Sequence, residues 1–350
     1  MRAKTATSSR KRDHLVICSE EPVEAGDAGF GDVRLVHNAF PECDMDAIET
    51  GTRFLGATLA SPLFIAAMTG GHPDTHEVNR RLACAAERYN LGMGVGSQRA
   101  ALENPELEES FVVVREEAPH AFLCANLGII QLRDHGIEWA ERAVEMIDAD
   151  AIAIHVNSLQ EAIQPEGDHN ATGCLEALCN LCDEFSYPVI VKETGSGISA
   201  ETARAIWEAG ASAIDIGGYG GTSWAKVECL RAKDPGLVKL GKAFLSWGIP
   251  TVVSLCEVRT TGGPIIATGG LRSGIDIASA IALGADLGGM ALPLLKAAMV
   301  SDDALFAAIE AIHRELRVAM FLTGSRTIRE LGHARTYITG LTRQMIEEIN

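Results

Sequence analysis

The chain has 350 residues, of which 47% are hydrophobic and only 5% aromatic, and it contains 35 glycines. This composition favours one large α/β domain with many turns over a β-sandwich or a disordered protein. The net charge of −17 argues against nonspecific binding to nucleic acid or to an anionic membrane, so an anionic ligand would need a local cluster of cations.

Signals for export, membrane insertion or disulfide formation are sparse. The nine cysteines lack the density of a disulfide scaffold, which predicts reduced thiols in a cytoplasmic protein. Cys179 and Cys182 form a CxxC pair in a helical pattern without a second pair at zinc-ligand spacing, which favours buried helix thiols over a metal or redox site. No run reaches the ~18 apolar residues of a membrane span, and the N-terminus lacks the apolar segment of a secretory signal.

The N-terminal region combines a polar tail with a cationic segment. Residues 1–9 are small and polar and are predicted to be disordered. Three cations and a histidine follow at residues 10–14, which leaves two interpretations open: a solvated basic tail, or an arm that closes over an anion. The glycine-rich stretch from about residue 27 to residue 60 then predicts short strands or a hairpin that closes the bottom of a barrel.

A regular alternation of strand and helix follows. The predicted strands are 62–68, 91–96, 121–126, 151–156, 188–192, 212–216, 264–268 and 286–290. The predicted helices are 75–89, 104–117, 137–148, 172–185, 199–209 and 275–283, with a long insertion after the sixth strand and helical sequence from the eighth strand to about residue 322. Because eight strands alternate with helices, we predict an α/β fold of the (β/α)8 TIM-barrel type, forming a single domain over 10–350.

The fourth predicted strand runs directly into a dense polar cluster. His155, Asn157, Gln160 and Glu161 follow its apolar residues, and further polar residues occupy 164–168. Ligands of parallel α/β folds bind beyond the carboxyl ends of the strands, so this cluster predicts a site, although a polar loop that caps the next helix would have the same composition.

Other strand ends carry polar side chains as well. Ser97, Gln98 and Arg99 could all donate to a phosphate, although Arg99 could also simply begin a surface helix. Asn126 suits a turn cap as well as a ligand contact. Lys192 ends the fifth strand, and a lysine there indicates an anion nearby because burying an unpaired ammonium is costly.

The loops after the last two strands predict a phosphate site. A Gly-Gly-Leu-Arg-Ser-Gly turn follows the seventh strand from Gly269, and Ala291 and Leu292 follow the eighth. In this barrel class the two loops together bind phosphate through backbone N–H groups at helix starts. The signal also occurs in other barrels that bind flavin mononucleotide or a phosphorylated substrate.

Together these motifs resemble one family, the flavin-dependent type 2 isopentenyl diphosphate isomerases. The similarity runs from about Arg10 to the end of the chain. Its more particular motifs are Gly-Val-Gly-Ser-Gln-Arg and Gln-Glu-x-x-Gln-Pro-Glu-Gly-Asp. The resemblance implies an enzyme of isoprenoid biosynthesis that interconverts isopentenyl and dimethylallyl diphosphate. It implies reduced FMN, Mg²⁺ as the divalent cation, NADPH as the reductant, and a homo-oligomer that is a tetramer or larger.

The resemblance also implies roles for individual residues. The flavin would contact Ala67, Met68, Thr69, Ser97, Asn126, Lys192 and Thr222. Its phosphate would be held by Gly269, Gly270, Leu271, Arg272, Ala291 and Leu292. The substrate diphosphate would be bound by Arg10, Lys11, His14, Gln98, Arg99, His155 and Asn157. Gln160 would lie beside the substrate as the catalytic residue, and Glu161 would hold the metal.

The residue types at the predicted barrel mouth constrain the chemistry. No pair of carboxylates there suits general acid–base catalysis, and Gln160 does not titrate, so we hypothesise that reduced flavin itself donates and accepts the proton. One rival is a flavin barrel that oxidises a 2-hydroxy acid or reduces a nucleotide. The oxidases need a histidine and an arginine late in the barrel, and the stretch 256–259 offers Arg259 without a matching histidine. A second rival, a phosphate-binding barrel without catalysis, would require one of the polar positions to be replaced.

Overall fold

The computed structural model describes the backbone of residues 2–349 and the side chains of residues 10–348. Helix α1 (Arg2–Glu20) begins the chain and is followed by strand β1 (Val33–Leu35). The backbone of residues 2–9 is part of this helix, where the sequence predicted a disordered tail. The arm therefore enters the fold as a helix, which packs against helices that follow the barrel strands.

A β-hairpin closes one end of the barrel. Strands β2 (Thr52–Phe54) and β3 (Ala57–Leu59) pair antiparallel, and the two residues between them, Leu55 and Gly56, have φ of 45° and 88°. Positive φ at both positions is the type I′ turn that joins two-residue hairpins. Phe54 packs against the ring of Phe122 at a centroid distance of 6.1 Å, in the apolar cluster that fills the barrel interior.

Eight parallel strands close the barrel in the order β10-β11-β4-β5-β6-β7-β8-β9. The strands are β4 (Leu63–Ile65), β5 (Gly92–Gly94), β6 (Leu123–Gly128), β7 (Ala151–Val156), β8 (Val189–Glu193), β9 (Ala213–Asp215), β10 (Ile265–Ala267) and β11 (Leu287–Met290). A twelfth strand, β12 (Thr336–Ile338), pairs antiparallel with β1 outside the barrel. The predicted (β/α)8 barrel and its eight strands are confirmed.

Helices surround the barrel and fill the insertion. The helices that precede the insertion are α2 (His76–Tyr89), α3 (Arg99–Glu103), α4 (Glu109–Glu117), α5 (Ile129–His135), α6 (Ile137–Ile147), α7 (Ser158–Ile163), α8 (Cys174–Glu184) and α9 (Ala200–Glu208). The insertion holds α10 (Trp224–Arg231), α11 (Pro235–Ala243) and α12 (Thr251–Arg259). The remainder are α13 (Gly274–Ala282), α14 (Leu292–Val300), α15 (Asp302–Thr323), α16 (Ile328–Leu331) and α17 (Gly340–Ile349).

The helix predicted over 104–117 begins later in the structure, and a separate helix, α3, precedes it. Helix α3 ends before Asn104, and α4 begins only at Glu109. Pro105 lies between them at the start of a short 3-10 turn, which Asn104 caps by accepting from the N–H of Glu106. Proline has no N–H to donate and restricts the residue before it, so a continuous helix through this point is disfavoured.

Strand β7 shows how the sequence builds the barrel core. Residues 151–154 are all buried. Ala151 and Ala153 join the cluster inside the barrel, whereas Ile152 and Ile154 join the cluster between the strands and the helices. Burial on both faces explains why this strand is a continuous apolar run without alternation.

The nine cysteines are all free thiols in the structure. Cys179 and Cys182 lie in α8 and are partly buried. Burial raises the pKa of Cys182 to about 11, and Cys179 and Asp183 raise it further. This is the environment of an unreactive helix thiol, as the sequence predicted.

Candidate active site

A single cavity lies at the carboxyl ends of the barrel strands, where the sequence predicted a site. It brings together the following predicted residues: Arg10, Lys11, His14, Ala67, Met68, Thr69, Ser97, Arg99, Asn126, His155, Asn157, Gln160, Glu161, Lys192, Thr222, Gly269, Gly270, Arg272, Ala291 and Leu292. The arm thus reaches the same cavity as the loops after β10 and β11.

Two predicted residues do not line this cavity. Gln98 is fully buried, and its amide is bonded to the carbonyl of Ala143 and to the N–H of Asn126. Leu271 has a core side chain, and its carbonyl accepts from Arg272 Nη1 at 2.6 Å. The structure therefore does not bring the side chain of Gln98 to the place where substrate contact was predicted.

One end of the cavity is strongly cationic. Arg10 and Lys11 from α1 approach Arg99 at the start of α3. Burial lowers the pKa of Lys11 to about 8, and the nearby charges of Arg10 and Arg99 lower it further. Three cations that destabilise one another in this way form a site that an anion of several charges would stabilise.

Acidic residues of the polar cluster hold two of these cations. Glu166 lies 3.9 Å from Arg10 and 2.7 Å from Arg231. Arg99 contacts Glu103 at 2.9 Å and Asp168 at 3.7 Å. The stretch after β7 thus wraps around the cationic end.

A buried carboxylate, Glu228 of α10, fastens the arm to the barrel. It accepts from His14 Nε2 at 3.0 Å, Gln160 Nε2 at 3.2 Å and Arg231 Nε at 2.8 Å. Burial alone would raise the pKa of Glu228, but its contacts with His14 and Arg231 outweigh burial and lower it to about 2. Burial also lowers the pKa of His14 against the pull of Glu228, so Arg231 is the charged partner and His14 a neutral donor.

His155 and Asn126 meet at the ends of two neighbouring strands. His155 Nδ1 lies 2.8 Å from Asn126 Oδ1. Burial lowers the pKa of His155 to about 3, and the charges of Lys11 and Lys192 add to this effect. His155 is therefore a neutral imidazole in the structure.

Lys192 forms an ion pair with Asp215, the kind of partner that its position predicted. Its Nζ lies 3.3 Å from Asp215 Oδ2 and donates to the carbonyl of Glu193 at 2.9 Å. Asp215 is 2% exposed and also accepts from the hydroxyl of Thr268. This ion pair places the ammonium at the cavity wall without leaving it unpaired.

The opposite end of the cavity is made of backbone. Gly269 and Gly270 have φ of 105° and 78°, and a Cβ on Gly269 would lie 2.1 Å from the carbonyl oxygen of Gly218. Helix α14 has no side-chain cap at its N-terminus. Helix α13 is capped by its own Ser273 in a capping box. The start of α14 lies beside the cavity-lining Ala291 and Leu292, so its uncapped backbone N–H groups could bind a phosphate there.

The comparisons with known proteins identify the family of this chain. Residues 129–338 match a family model described as FMN-dependent dehydrogenase. The isopentenyl-diphosphate delta-isomerase of Methanoregula boonei is 66% identical over 99% of this chain and 98% of its own. The protein of that name from Archaeoglobus fulgidus is 52% identical over 98% of this chain and 99% of its own. The chain belongs to the isopentenyl-diphosphate delta-isomerase family.

Solved structures outside this isomerase family share the barrel. A mandelate oxidase variant with an FMN adduct has a TM-score of 0.64 at 20% identity, covering 93% of this chain and 92% of its own. The lactate oxidase of Pediococcus acidilactici has a TM-score of 0.66 at 18% identity, covering 93% and 87%. At this identity the likeness establishes the fold alone.

The cavity differs from what a 2-hydroxy acid oxidase needs. The histidines in its lining are His14 and His155, which come from the arm and from β7. Arg259 is not in the lining: it donates to the carbonyl of Leu283 at 3.1 Å. Arg272 is a late arginine in the lining, but within residues 10–348 no late histidine accompanies it at the cavity, in keeping with the isomerase family.

The cavity fits FMN, as the family implies. The uncapped start of α14 and the two glycines suit the phosphate, and the glycines leave room for close approach of a ligand to the backbone. Arg272 is less available, because its guanidinium binds Glu24 and the carbonyl of Leu271. The phosphate end therefore rests on backbone donors more than on this arginine.

Glu161 could hold one position of a metal ion. Its oxygens accept from Asn157 Nδ2 at 2.9 Å, Gln164 Nε2 at 2.6 Å and the N–H of Asp168 at 2.8 Å. In the part of the chain that the structure describes, no group of three or more histidines, cysteines or carboxylates could enclose a metal. Mg²⁺ commonly binds through one or two carboxylates together with substrate phosphates and water, which a single oriented carboxylate fits.

Sequence reasoning missed Glu228, Asp215 and Trp224 as parts of this site. Trp224 contacts the ring of His14 edge-on at 5.0 Å. Asp215 could have been found, because it ends the strand next to Lys192 and supplies the anion that the lysine needs. Glu228 left no such signal, since it is one carboxylate among many in an acidic chain.

No helix between residues 2 and 349 is both long enough and apolar enough to pass through a membrane.

Proposed function

We propose that the chain interconverts isopentenyl and dimethylallyl diphosphate, using reduced FMN and Mg²⁺. The observation that carries the proposal is the two-ended cavity. One end offers three cations from α1 and α3 to a diphosphate, and the other offers backbone N–H groups to a flavin phosphate. The family membership and the residue types at both ends support this assignment.

The diphosphate would bind at the cationic end. Arg10, Lys11 and Arg99 would contact its oxygens, with His14, His155 and Asn157 completing the shell. Each charge-assisted contact contributes ~1.5–3 kcal/mol. This local attraction would work against the net charge of −17, so it must act at short range.

Glu161 would hold Mg²⁺, which would offset the charge of the diphosphate. The carboxylate is held by amide donors from Asn157 and Gln164, which orient it without neutralising its charge. A Glu161→Gln variant would therefore turn over slowly and respond weakly to added Mg²⁺. Magnesium titration curves that match those of the unaltered chain would refute this role.

The reaction adds a proton at one carbon and removes another elsewhere, without net oxidation. Reduced FMN, when bound, would supply the acid and the base for these transfers. Gln160 would hold the hydrocarbon part of the substrate beside it, because its amide is fixed by Asn157 at 3.3 Å and by Glu228 at 3.2 Å. The flavin ring would lie against Ala67–Thr69, Ser97, Asn126, Lys192 and Thr222, with its phosphate at Gly269–Arg272, Ala291 and Leu292.

Three further features complete the proposal. NADPH would reduce the flavin, which anaerobic bleaching of the flavin absorbance on NADPH addition would test. The enzyme would act in the cytoplasm, where that reductant is available.

The protein would assemble as a tetramer or larger, which the exposed side chains of Phe40, Tyr337 and Leu341 favour. Light scattering would then give at least four times 37.2 kDa.

The test is proton NMR of isopentenyl diphosphate in heavy water with the protein, Mg²⁺ and FMN, with and without dithionite. Deuterated dimethylallyl diphosphate should form only in the reduced sample. Equal conversion without dithionite would refute the need for reduced flavin. Neither exchange nor product from flavin-loaded, reduced protein would refute the isomerase activity.

A further inference from the structure

Gln98 is buried outside the cavity. It bonds to the backbone of Asn126 at a point where β5 no longer pairs with β6. Strand β5 ends at Gly94, whereas β6 continues to Gly128. Beyond the end of β5, the backbone N–H of Gln98 donates to the carbonyl of Asn126 at 2.9 Å. The side-chain Oε1 of Gln98 accepts from the N–H of Asn126 at 2.8 Å. Both backbone polar groups of Asn126 are therefore satisfied by one residue.

The direction of the Gln98 amide is determined by its partners. The carbonyl of Ala143 can only accept a hydrogen bond, so Nε2 must face it, at 2.8 Å. The N–H of Asn126 can only donate, so Oε1 must face that group. Helix α6 thus fixes the Nε2 end of the Gln98 amide, and the Oε1 end accepts a hydrogen bond from β6.

The contact with Asn126 determines the tautomer of His155 in the same way. Asn126 Nδ2 donates to the carbonyl of Val95 at 2.9 Å, so Oδ1 is the atom 2.8 Å from His155 Nδ1. An amide oxygen only accepts, and Nδ1 must therefore carry the proton. In the neutral ring Nε2 is then the unprotonated nitrogen.

Burial, together with the charges around it, lowers the pKa of His155 and favours the neutral ring. Lys11 and Arg10 approach from α1, Arg99 from α3 and Lys192 from β8, and all four disfavour a second proton. Because His155 is in the cavity lining, its state decides whether the site presents a donor or an acceptor.

We propose that Gln98 is a positioning residue that acts through Asn126 to hold His155 as the Nδ1–H tautomer, so that Nε2 is a hydrogen-bond acceptor in the site without substrate. Gln98 does not touch the cavity itself. The inference rests on the proposed function only in treating His155 as a substrate contact. Its test needs no substrate, so failure of the tautomer assignment and failure of the isomerase assignment are distinguishable.

The experiment is ¹⁵N NMR of the FMN-loaded chain labelled at histidine, with His155→Gln used to assign the His155 signals. We expect a protonated Nδ1 and an unprotonated Nε2 in the unaltered chain. A protonated Nε2 with a bare Nδ1 would overturn the proposal, and this measurement requires no variant at Gln98.

The variant Gln98→Met tests the role of Gln98 itself. Methionine has a similar length but neither holds the N–H of Asn126 nor donates to Ala143. We expect a second set of His155 signals with a protonated Nε2, absent from the unaltered chain. His155 signals that remain unchanged in Gln98→Met would refute the positioning role.

Ser254→Ala is the matched control for loss of a buried anchor. Ser254 is fully buried, and its hydroxyl both accepts from the N–H of Ile198 at 2.9 Å and donates to its carbonyl at 2.7 Å. It therefore anchors a backbone residue much as Gln98 does, but outside the cavity. The proposal requires this variant to keep the single His155 tautomer, and a second tautomer here would overturn it by showing a general response to destabilisation.

Discussion

The two ends of the cavity are built from different materials. The phosphate end uses backbone: glycines at positive φ and the uncapped start of α14. The cationic end uses long side chains from α1 and α3, of which Arg10 is paired with Glu166, and Arg99 with Glu103 and Asp168.

This difference has consequences for how each end fails. Backbone N–H groups do not titrate while the chain is folded, so the phosphate end should respond to substitutions that change the shape of the backbone. Side-chain cations respond to pH, salt and the loss of a counter-ion. The predictions below use this contrast, in order of decreasing expected effect.

Glu228→Ala should cause the largest loss of stability. It removes the buried carboxylate that joins His14, Gln160 and Arg231, and breaking a buried pair costs ~3–5 kcal/mol. Because the pKa of Glu228 is lowered to about 2, its stabilisation is present above the unfolded value of 4.5 and is lost as the pH falls towards 2. Chemical denaturation at several pH values would measure both effects.

Glu166→Gln is the matched control for that variant. Glu166 binds the same Arg231 but its side chain is 38% exposed, and exposed pairs contribute ~0–1 kcal/mol. A loss of stability equal to that of Glu228→Ala would show that burial of the carboxylate is not what matters.

Gly269→Ala should disable the phosphate end while the chain stays folded. The new Cβ would lie 2.1 Å from the carbonyl oxygen of Gly218 at a φ of 105°. Backbone strain of ~1–3 kcal/mol adds to this overlap, so bound FMN should fall by about tenfold or more. Flavin absorbance of the purified protein gives the content.

Gly262→Ala separates strain from overlap. Gly262 has a similar φ of 86°, but a Cβ there would meet nothing within 4 Å. Flavin content should remain normal in this variant. If it falls as in Gly269→Ala, the close approach at the cavity is not the cause.

Lys11 should give the cationic end a pH dependence that the phosphate end lacks. Its pKa is lowered to about 8 in the folded chain, so its charge is present below that pH and is lost above it. Binding of inorganic diphosphate should therefore weaken as the pH rises through 8, by roughly tenfold to a hundredfold for one charge-assisted contact of ~1.5–3 kcal/mol. Calorimetric titration of inorganic diphosphate into the FMN-loaded chain, in the presence of Mg²⁺, would measure this change in affinity.

Two variants make that prediction specific to Lys11. Lys11→Arg keeps its charge throughout this range and should remove the break near pH 8. Lys11→Met should bind weakly at every pH. A break that survives in Lys11→Met would assign it to another group.

Glu103→Gln should have the smallest effect. Glu103 contacts Arg99 at 2.9 Å as an i,i+4 pair with both side chains partly exposed, and such helix pairs contribute ~0.3–0.5 kcal/mol. Diphosphate binding should change less than about threefold, which the same titration would detect. A larger change would mean that Glu103 holds Arg99 in its binding position.

Much of the site could be read from local signals. Glycines and polar side chains at strand ends fall on one edge of the barrel once the strands are parallel, and the cavity gathers the predicted residues for this reason. Gln98 escaped this logic because consecutive residues in the turn after β5 point in different directions. Its neighbours Ser97 and Arg99 face the cavity, while Gln98 faces β6.

The sequence by itself determined the barrel, because the spacing of apolar runs and helical segments is a local property that parallel strand pairing converts into one architecture. It also determined which strand ends carry chemistry. Only the tertiary structure decided which charges meet, since His14 and Glu228 lie 214 residues apart and come together only when the barrel closes. The same closure pairs Arg272 with Glu24 across 248 residues. Sequence spacing carries no information on such contacts, because they depend on where two helices or loops lie in space.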